Sequence, residues 1–175
     1  MDGAMSAEPV DPNQALSKLR IAVVDDNAAM RGIVRAVLAS LGCENVHEAS
    51  DADAAMALLQ SEQIDILILD WKMTPTDGLA LVRTLRDPET SPNPFLPVIM
   101  LTAYAEPSKV REARDAGVTE FMVKPFSAEA LYRRLAVIVN RPRPFVRTKA
   151  FFGPDRRRLE AAFDGPERRE DAPIS

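Results

Sequence analysis

The sequence predicts an α/β fold, a five-stranded parallel sheet doubly wound with helices on both faces. Between residues 19 and 139, short and almost continuously apolar runs alternate five times with segments of helical apolar spacing. Four of the five runs also end in polar residues suited to chemistry: Asp25-Asp26, Asp70, Thr102 and Lys124. Buried parallel strands joined by right-handed crossovers deliver their carboxyl ends to one edge, where open α/β sheets bind ligands.

The first strand is predicted over Leu19 to Val24, followed by the acidic loop Asp25-Asp26-Asn27. Met30, Ile33, Val34, Val37, Leu38 and Leu41 recur with helical spacing, and Gly42 provides a stop. A second strand spans Val46 to Ala49. The helix from about Asp51 to Gln60, capped by Ser50 or Asp51, is expected to turn Ala54, Ala55, Leu58 and Leu59 inward. The third strand is the most apolar stretch, Ile64-Asp65-Ile66-Leu67-Ile68-Leu69-Asp70, and reads as the centre of the sheet. A third helix over Gly78 to Arg86 has Leu79, Leu81, Val82 and Leu85 inward and stops at the proline-rich loop beginning at Asp87. The fourth strand is Val98 to Thr102 and the fourth, polar helix Ser108 to Ala116, ended by Gly117. Glu120 to Val123 forms the fifth strand before Lys124-Pro125. The fifth helix runs from Ser127 to Val139 with Leu131, Leu135 and Ile138 inward. The order of the strands does not follow from this pattern.

At 175 residues, 46% apolar and 27% charged, the chain has the composition of one globular domain with some length to spare. Residues 1–17 mix Pro, Asp, Ser and Ala without periodicity and are expected to be a flexible leader, with order beginning near Lys18. Residues 141–175 form an Arg-rich tail, also expected to be flexible. The net charge of −4 is uneven: up to residue 140 there are 13 basic against 20 acidic side chains, and beyond it nine against six. An acidic body with a mildly basic tail argues against direct DNA binding, which needs a concentrated basic face. A single cysteine, Cys43, an acidic start and no long apolar run point to the cytoplasm and away from the membrane.

Three carboxylates, a hydroxyl and an ammonium meeting at one sheet edge are unfavourable unless a cation sits among the acids. All-oxygen donors with room for water favour Mg²⁺. The set suits phosphoryl chemistry, in which one Asp attacks phosphorus while the metal and Lys neutralise charge and Thr donates a hydrogen bond.

Asp25-Asp26, Asp70-Trp71-Lys72-Met73 with Asp77-Gly78, Leu101-Thr102-Ala103 and Lys124-Pro125-Phe126 together resemble the receiver domain of bacterial two-component response regulators, of the chemotaxis-regulator-like, single-domain kind. The resemblance covers about residues 18–140. It implies a flavodoxin-like fold with strand order 2-1-3-4-5 and a phosphoacceptor at Asp70, served by a histidine kinase or histidine phosphotransferase. It implies that Asp26 and Asp70 bind Mg²⁺ directly, that Asp25 acts mainly through water, and that the Lys72 backbone carbonyl is a further ligand. Lys124 is the phosphate-contacting lysine, joined to Pro125 by a cis bond. Thr102 is the switch hydroxyl and Phe121 the switch aromatic. The protein is then a signalling switch or phosphorelay intermediate rather than an enzyme, acting through the face of the fourth helix, fifth strand and fifth helix.

Several positions depart from the pattern. Phe121 stands where many receivers have Tyr, Thr74 precedes Pro75 where Pro usually comes first, and the loop Asp87 to Pro97 is slightly long. Lys72 and Tyr104, each two residues beyond a site residue, flank the expected path of water and should lengthen the phosphate's life. One alternative is a haloacid-dehalogenase-type phosphatase. That class resembles Asp-x-Asp on the first strand, whereas this chain has Asp25-Asp26-Asn27 and a lone acid on the third. Another is a phosphorylation-independent scaffold working through the tail, which repeats Gly153-Pro154-Asp155-Arg156-Arg157 as Gly165-Pro166-Glu167-Arg168-Arg169. That tail is expected either to remain solvated or to act as a docking arm that could fold back on the body. Cys43 and His47 read as structural residues, and Trp71 as an exposed or half-buried aromatic beside the site.

Overall fold

A computed structural model describes residues 12–157. Five parallel strands, β1 (Arg20–Val24), β2 (Asn45–Ala49), β3 (Ile66–Asp70), β4 (Val98–Thr102) and β5 (Glu120–Val123), form one sheet in the order β2-β1-β3-β4-β5. Both the doubly wound class and the expected strand order are thus observed. The helices are α1 (Pro12–Ser17), α2 (Ala28–Ser40), α3 (Ala52–Ser61), α4 (Gly78–Leu85), α5 (Pro107–Ala116) and α6 (Ala128–Asn140).

Strand alternation divides the core into two layers. Ile21, Val23, Ile66, Ile68, Ile99 and Leu101 face Val34 and Leu38 of α2 and Leu131 and Leu135 of α6. Ala22, Val24, Leu67, Leu69, Val98 and Met100 face Ala55 of α3, Leu79 and Val82 of α4 and Ala113 of α5. All five residues of β3 and of β4 are buried, as strands covered on both faces require. Of the two caps offered for α3, Asp51 takes the place, accepting from the Ala54 amide; Asn27 likewise accepts from the amides of Ala29 and Met30, Asp77 from Ala80 and Ser127 from Ala130. Gly42 and Gly117 end α2 and α5 at φ of +85° and +101°, conformations that side chains with a Cβ rarely adopt.

Three expectations need revision. Order begins before Lys18, because α1 precedes β1 and buries Leu16 in the layer beneath α2 and α6. One apolar anchor just ahead of β1 needs no periodicity to be buried. On α3, Ala52 is buried where Ala54 is exposed, because the inward stripe runs through Ala52, Ala55 and Leu59. On α2, Ile33 is 54% exposed despite its apolar spacing, because the layer is filled by Val34 and Leu38.

The first part of the tail also folds. Strands β6 (Phe145–Arg147) and β7 (Phe152–Pro154) pair as an antiparallel hairpin. Phe145 and Phe152 pack against each other and against Phe95, with ring centroids 5.1–5.7 Å apart. Phe95 lies in the long loop between α4 and β4, so that length serves as the bed on which the hairpin rests. The hairpin half of the tail's repeat is therefore folded, while its second copy at Gly165 to Arg169 lies outside the described residues.

Candidate functional site

The carboxyl edge of the sheet collects the acids through the same alternation that builds the core. The face that buries Ile21 and Val23 on β1 carries Asp25 one step beyond the strand, and the face that buries Ile66 and Ile68 carries Asp70. One carboxylate oxygen from each of Asp25, Asp26 and Asp70 lies within 4.8 Å of the others. Lys124, placed just after β5, reaches into the group: its Nζ is 2.7 Å from Asp70 Oδ1 and 3.5 Å from Asp25 Oδ2. The bond from Lys124 to Pro125 is cis, as expected, and so is that from Thr74 to Pro75.

Local structure holds each acid in place. The Asn27 amide donates to Asp25 Oδ1 at 2.8 Å, and Arg31 donates to the Asp25 carbonyl at 2.8 Å while pairing with Glu48 at 3.1 Å. The Thr74 amide donates to Asp26 Oδ2 at 3.3 Å. Behind Asp70, α4 starts so close to the strand that a Cβ on Gly78 would run into the Asp70 carbonyl oxygen. Only glycine permits that approach. The Trp71 amide donates to the Leu101 carbonyl, and the Gly78 amide to the Trp71 carbonyl.

A cavity of about 260 Å³ opens above these groups, lined by Asp25, Asp26, Asp70, Lys72, Thr102 and Lys124, with Tyr104 at its margin. Thr102 is buried, and its hydroxyl accepts from the Tyr104 amide at 3.0 Å. All the acids and both polar strand-end residues foreseen from the sequence meet here. Phe121 does not line the cavity; it packs behind it, edge-on to Trp71 with centroids 6.4 Å apart. Trp71 itself is buried rather than half-exposed, with the Lys109 ammonium 5.2 Å from its ring centroid. A tryptophan next to a strand end carries no sequence signal for burial, because the surfaces that cover it come from β5 and α5.

Electrostatically the site is short of positive charge. Burial pushes the Asp70 carboxyl above its ordinary range; the Lys124 hydrogen bond pulls it down, and the charge of Asp25 pushes it up again. Asp25 Oδ2 is buried and accepts no hydrogen bond. A divalent cation with oxygen preference fits this donor set, since it would satisfy the orphaned oxygen and relieve the repulsion. Elsewhere, burial pushes the Cys43 thiol up, in keeping with an inert core residue. Among the described residues, His47 belongs to no cluster of metal-ligating side chains.

A family model for the response regulator receiver domain matches residues 21–136. The chain belongs to that family. Such receivers are signalling domains of two-component systems rather than conventional enzymes. This receiver is 38% identical over 123 residues to the chemotaxis protein CheY of Pseudomonas aeruginosa, covering 70% of this chain and 98% of the relative. In three dimensions it is similar to chemotaxis protein CheY4 of Vibrio cholerae, with 33% identity and a TM-score of 0.61 over 67% of this chain and 95% of the other. It is also similar to the receiver domain of the sensor histidine kinase PA1611 of Pseudomonas aeruginosa, which has a magnesium ion coordinated in its active-site cleft. There the identity is 27% and the TM-score 0.62, over 70% and 98% of the two chains. The family match ends at residue 136, so the hairpin β6–β7 lies beyond it. Among the described residues no helix is long and apolar enough to cross a membrane.

Proposed function

We propose that the protein is a phosphorylatable switch of the cytoplasm in which Asp70 accepts a phosphoryl group from a histidine kinase or histidine phosphotransferase. The observation that carries this reading is the position of Asp70, whose Oδ1 lies 2.7 Å from Lys124 Nζ and whose carboxylate places an oxygen within 4.8 Å of one from each of Asp25 and Asp26. Asp25, Asp26, Asp70 and the backbone carbonyl of Lys72 would hold Mg²⁺, which when bound supplies positive charge to the transferring oxygens.

In the transfer, an Asp70 oxygen attacks phosphorus, the P–O bond forms as the bond to the donor nitrogen breaks, and the electron pair leaves with the imidazole. Lys124 is placed to follow the negative charge onto the phosphoryl oxygens. Thr102 would exchange its present bond from the Tyr104 amide for donation to one of those oxygens. Movement of Thr102 and its loop would be felt at Tyr104 and, through the packing of Trp71, at Phe121. That favours one arrangement of the α5–β5–α6 face, the surface through which the receiver would act.

Intact mass after incubation with Mg²⁺ and acetyl phosphate tests the reading. The wild-type protein should gain one hydroxylamine-labile phosphoryl group; Asp70→Asn should gain none, and EDTA should abolish the gain. An unmodified wild-type protein that binds Mg²⁺ would instead support the scaffold reading, to which the folded part of the tail lends substance. Lys72 and Tyr104 both line the cavity that holds Asp70. Lys72→Asn should therefore shorten the phosphoryl lifetime severalfold, and an unchanged decay rate would remove Lys72 from that role.

A further inference from the structure

Helix α5 is held to the body by very little. Its neighbour α4 buries Leu79, Leu81, Val82 and Leu85, and α6 buries Leu131, Leu135 and Ile138, whereas α5 buries only Ala113 and Ala116, both in its C-terminal half. Two methyl groups remove little apolar surface from water. Towards the candidate site the hold is weaker still. Residues 103–108, which lead from Thr102 into the first turn of α5, are all exposed, and the Glu106 side chain caps no amide. Sparse burial and an uncapped start put this end of α5 among the parts of the fold that open at low free energy.

The other end of α5 is gripped, and the grip comes from the hairpin β6–β7, which lies beyond the family match. Gly117, which ends α5, is held from two sides. Arg86 Nε donates to its carbonyl at 2.9 Å, and Gly153 of β7 lies so close that a Cβ there would stand 3.2 Å from the Gly117 Cα. Just before it, Asp115 pairs with Arg156 at 3.2 Å, whose guanidinium is steadied 3.9 Å from the centroid of the Phe151 ring. The hairpin is seated in turn on parts of the body outside α5. Phe145 and Phe152 rest on Phe95, and Arg143 donates to Glu120 of β5 at 3.2 Å. A rigid hairpin thus ties the end of a loosely held helix to the base of the sheet.

We propose that the hairpin is an intrachain brake on the switch: it holds the C-terminal end of α5 in the arrangement seen here and so opposes phosphorylation of Asp70. The inference rests on the switch reading of the site and names its regulation. When Thr102 turns to a phosphoryl oxygen, the four residues that connect it to Pro107 pull on the first turn of α5. A helix moves as a unit, so the pull is resisted at Asp115 and Gly117. A contact between two glycine backbones has no flexible side chain to adjust, and a shift of the helix end breaks it. Phosphotransfer from the displaced arrangement is slowed by the small population of that arrangement. By linkage, phosphorylation loosens the hairpin by the same factor by which the hairpin disfavours the phosphorylated state.

The test compares the full-length protein with Arg156→Gln, an exposed substitution that leaves the core untouched, and Phe152→Ala, which unseats the hairpin from Phe95. The readouts are the rate of phosphoryl gain from acetyl phosphate with Mg²⁺, by intact mass, and hydrogen exchange at the amides of α5 and the hairpin. Arg156→Gln should speed phosphorylation about twofold, as the loss of one exposed ion pair allows. Phe152→Ala should speed it about tenfold, because its aromatic contacts outweigh that pair. In both variants the amides from Ala113 to Gly117 should exchange faster before any phosphodonor is added. In the wild type, phosphorylation should speed exchange at the Thr148 and Asp155 amides, which donate to the Phe151 and Pro144 carbonyls across the hairpin. Unchanged phosphorylation rates in both variants, with faster exchange in the hairpin, overturn the brake and leave a purely structural tie. Slower phosphorylation overturns it too and makes the hairpin a support of the reactive arrangement. Faster phosphorylation without faster exchange in α5 places the effect elsewhere and equally ends the proposal. If wild type and variants alike gain no phosphoryl group, the switch reading itself falls and the brake with it, an outcome distinct from phosphorylation that proceeds at one rate in all three proteins.

Discussion

At the carboxyl end of the sheet, Asp25 and Asp70 are 3% and 7% exposed and share a single ammonium, Lys124. At the amino end, Glu120 is equally buried but enclosed by partners, and Arg86 is equally buried and partnered except at Nη2, which makes no hydrogen bond. Arg86 donates to the carbonyls of Gly117 at 2.9 Å and Pro94 at 2.8 Å, and Phe145 of the hairpin lies over its guanidinium at 5.0 Å. Glu120 has two arginines to itself. One fold thus treats buried charge in two ways. Where partners are supplied, the charge ties elements together: Arg86 joins α4 to the starts of β4 and β5, and Glu120 joins β5 to α6 and the tail. Where partners are withheld, at some expense of stability, the acids keep the room that the proposed cation and phosphoryl group would need.

The comparison is broken most severely at Arg86. Arg86→Ala leaves one buried and one part-buried carbonyl without donors and a void under Phe145, and should lower unfolding free energy by about 3 kcal/mol or more. Urea denaturation measures the loss, and hydrogen exchange at the Val146 amide should accelerate as the hairpin loosens. A loss below about 1 kcal/mol would mean that Arg86 is not a tie at all.

Glu120→Gln should cost less, about 1–2 kcal/mol, since Arg134 and Arg143 are partly exposed and can turn to water when the carboxylate goes. The carboxyl end should respond with the opposite sign. In metal-free buffer, Asp70→Asn should raise the urea midpoint at pH 8, because it removes a buried charge that the native fold disfavours. The direction follows from linkage. A carboxyl whose folded pKa lies above its ordinary value of 3.8 holds its proton more tightly in the native state. Native stability then falls as pH rises from 3.8 through the raised value, and stays lower above it. The advantage of the variant should therefore be full at neutral pH and vanish as pH falls towards 3.8. Added Mg²⁺ should stabilise the wild type and leave the variant much less affected. If Asp70→Asn were destabilising throughout, the acids would be part of the scaffold, and the contrast between the two ends would disappear.

Legibility follows the same division. The strands, the helices and the acids at strand ends were readable because apolar alternation and periodicity are local properties, and a strand that ends in Asp announces itself within seven residues. Gly78 could be placed at a helix start, but its need to lie against the Asp70 carbonyl came from three-dimensional approach. Arg86 looked like any arginine at a helix end, and Glu120 like any acid at a strand start, since their partners lie as far off as Gly117 and Arg143.

The tail shows the limit most clearly. Phe145 and Phe152 sit among arginines and prolines without periodicity, a composition that reads as solvated chain. Their order depends on Phe95, about 50 residues earlier in a loop that appeared merely long. By itself the sequence determined the fold class, the five βα units and the identity of the groups at the carboxyl edge, because these depend on each residue's own polarity and spacing. Tertiary structure alone decided which charges are compensated, that Trp71 is buried between β5 and α5, and that the tail returns to pack against Phe95 and Gly117. Those properties belong to pairs of residues distant in the chain, and no local pattern encodes a contact whose other half lies elsewhere.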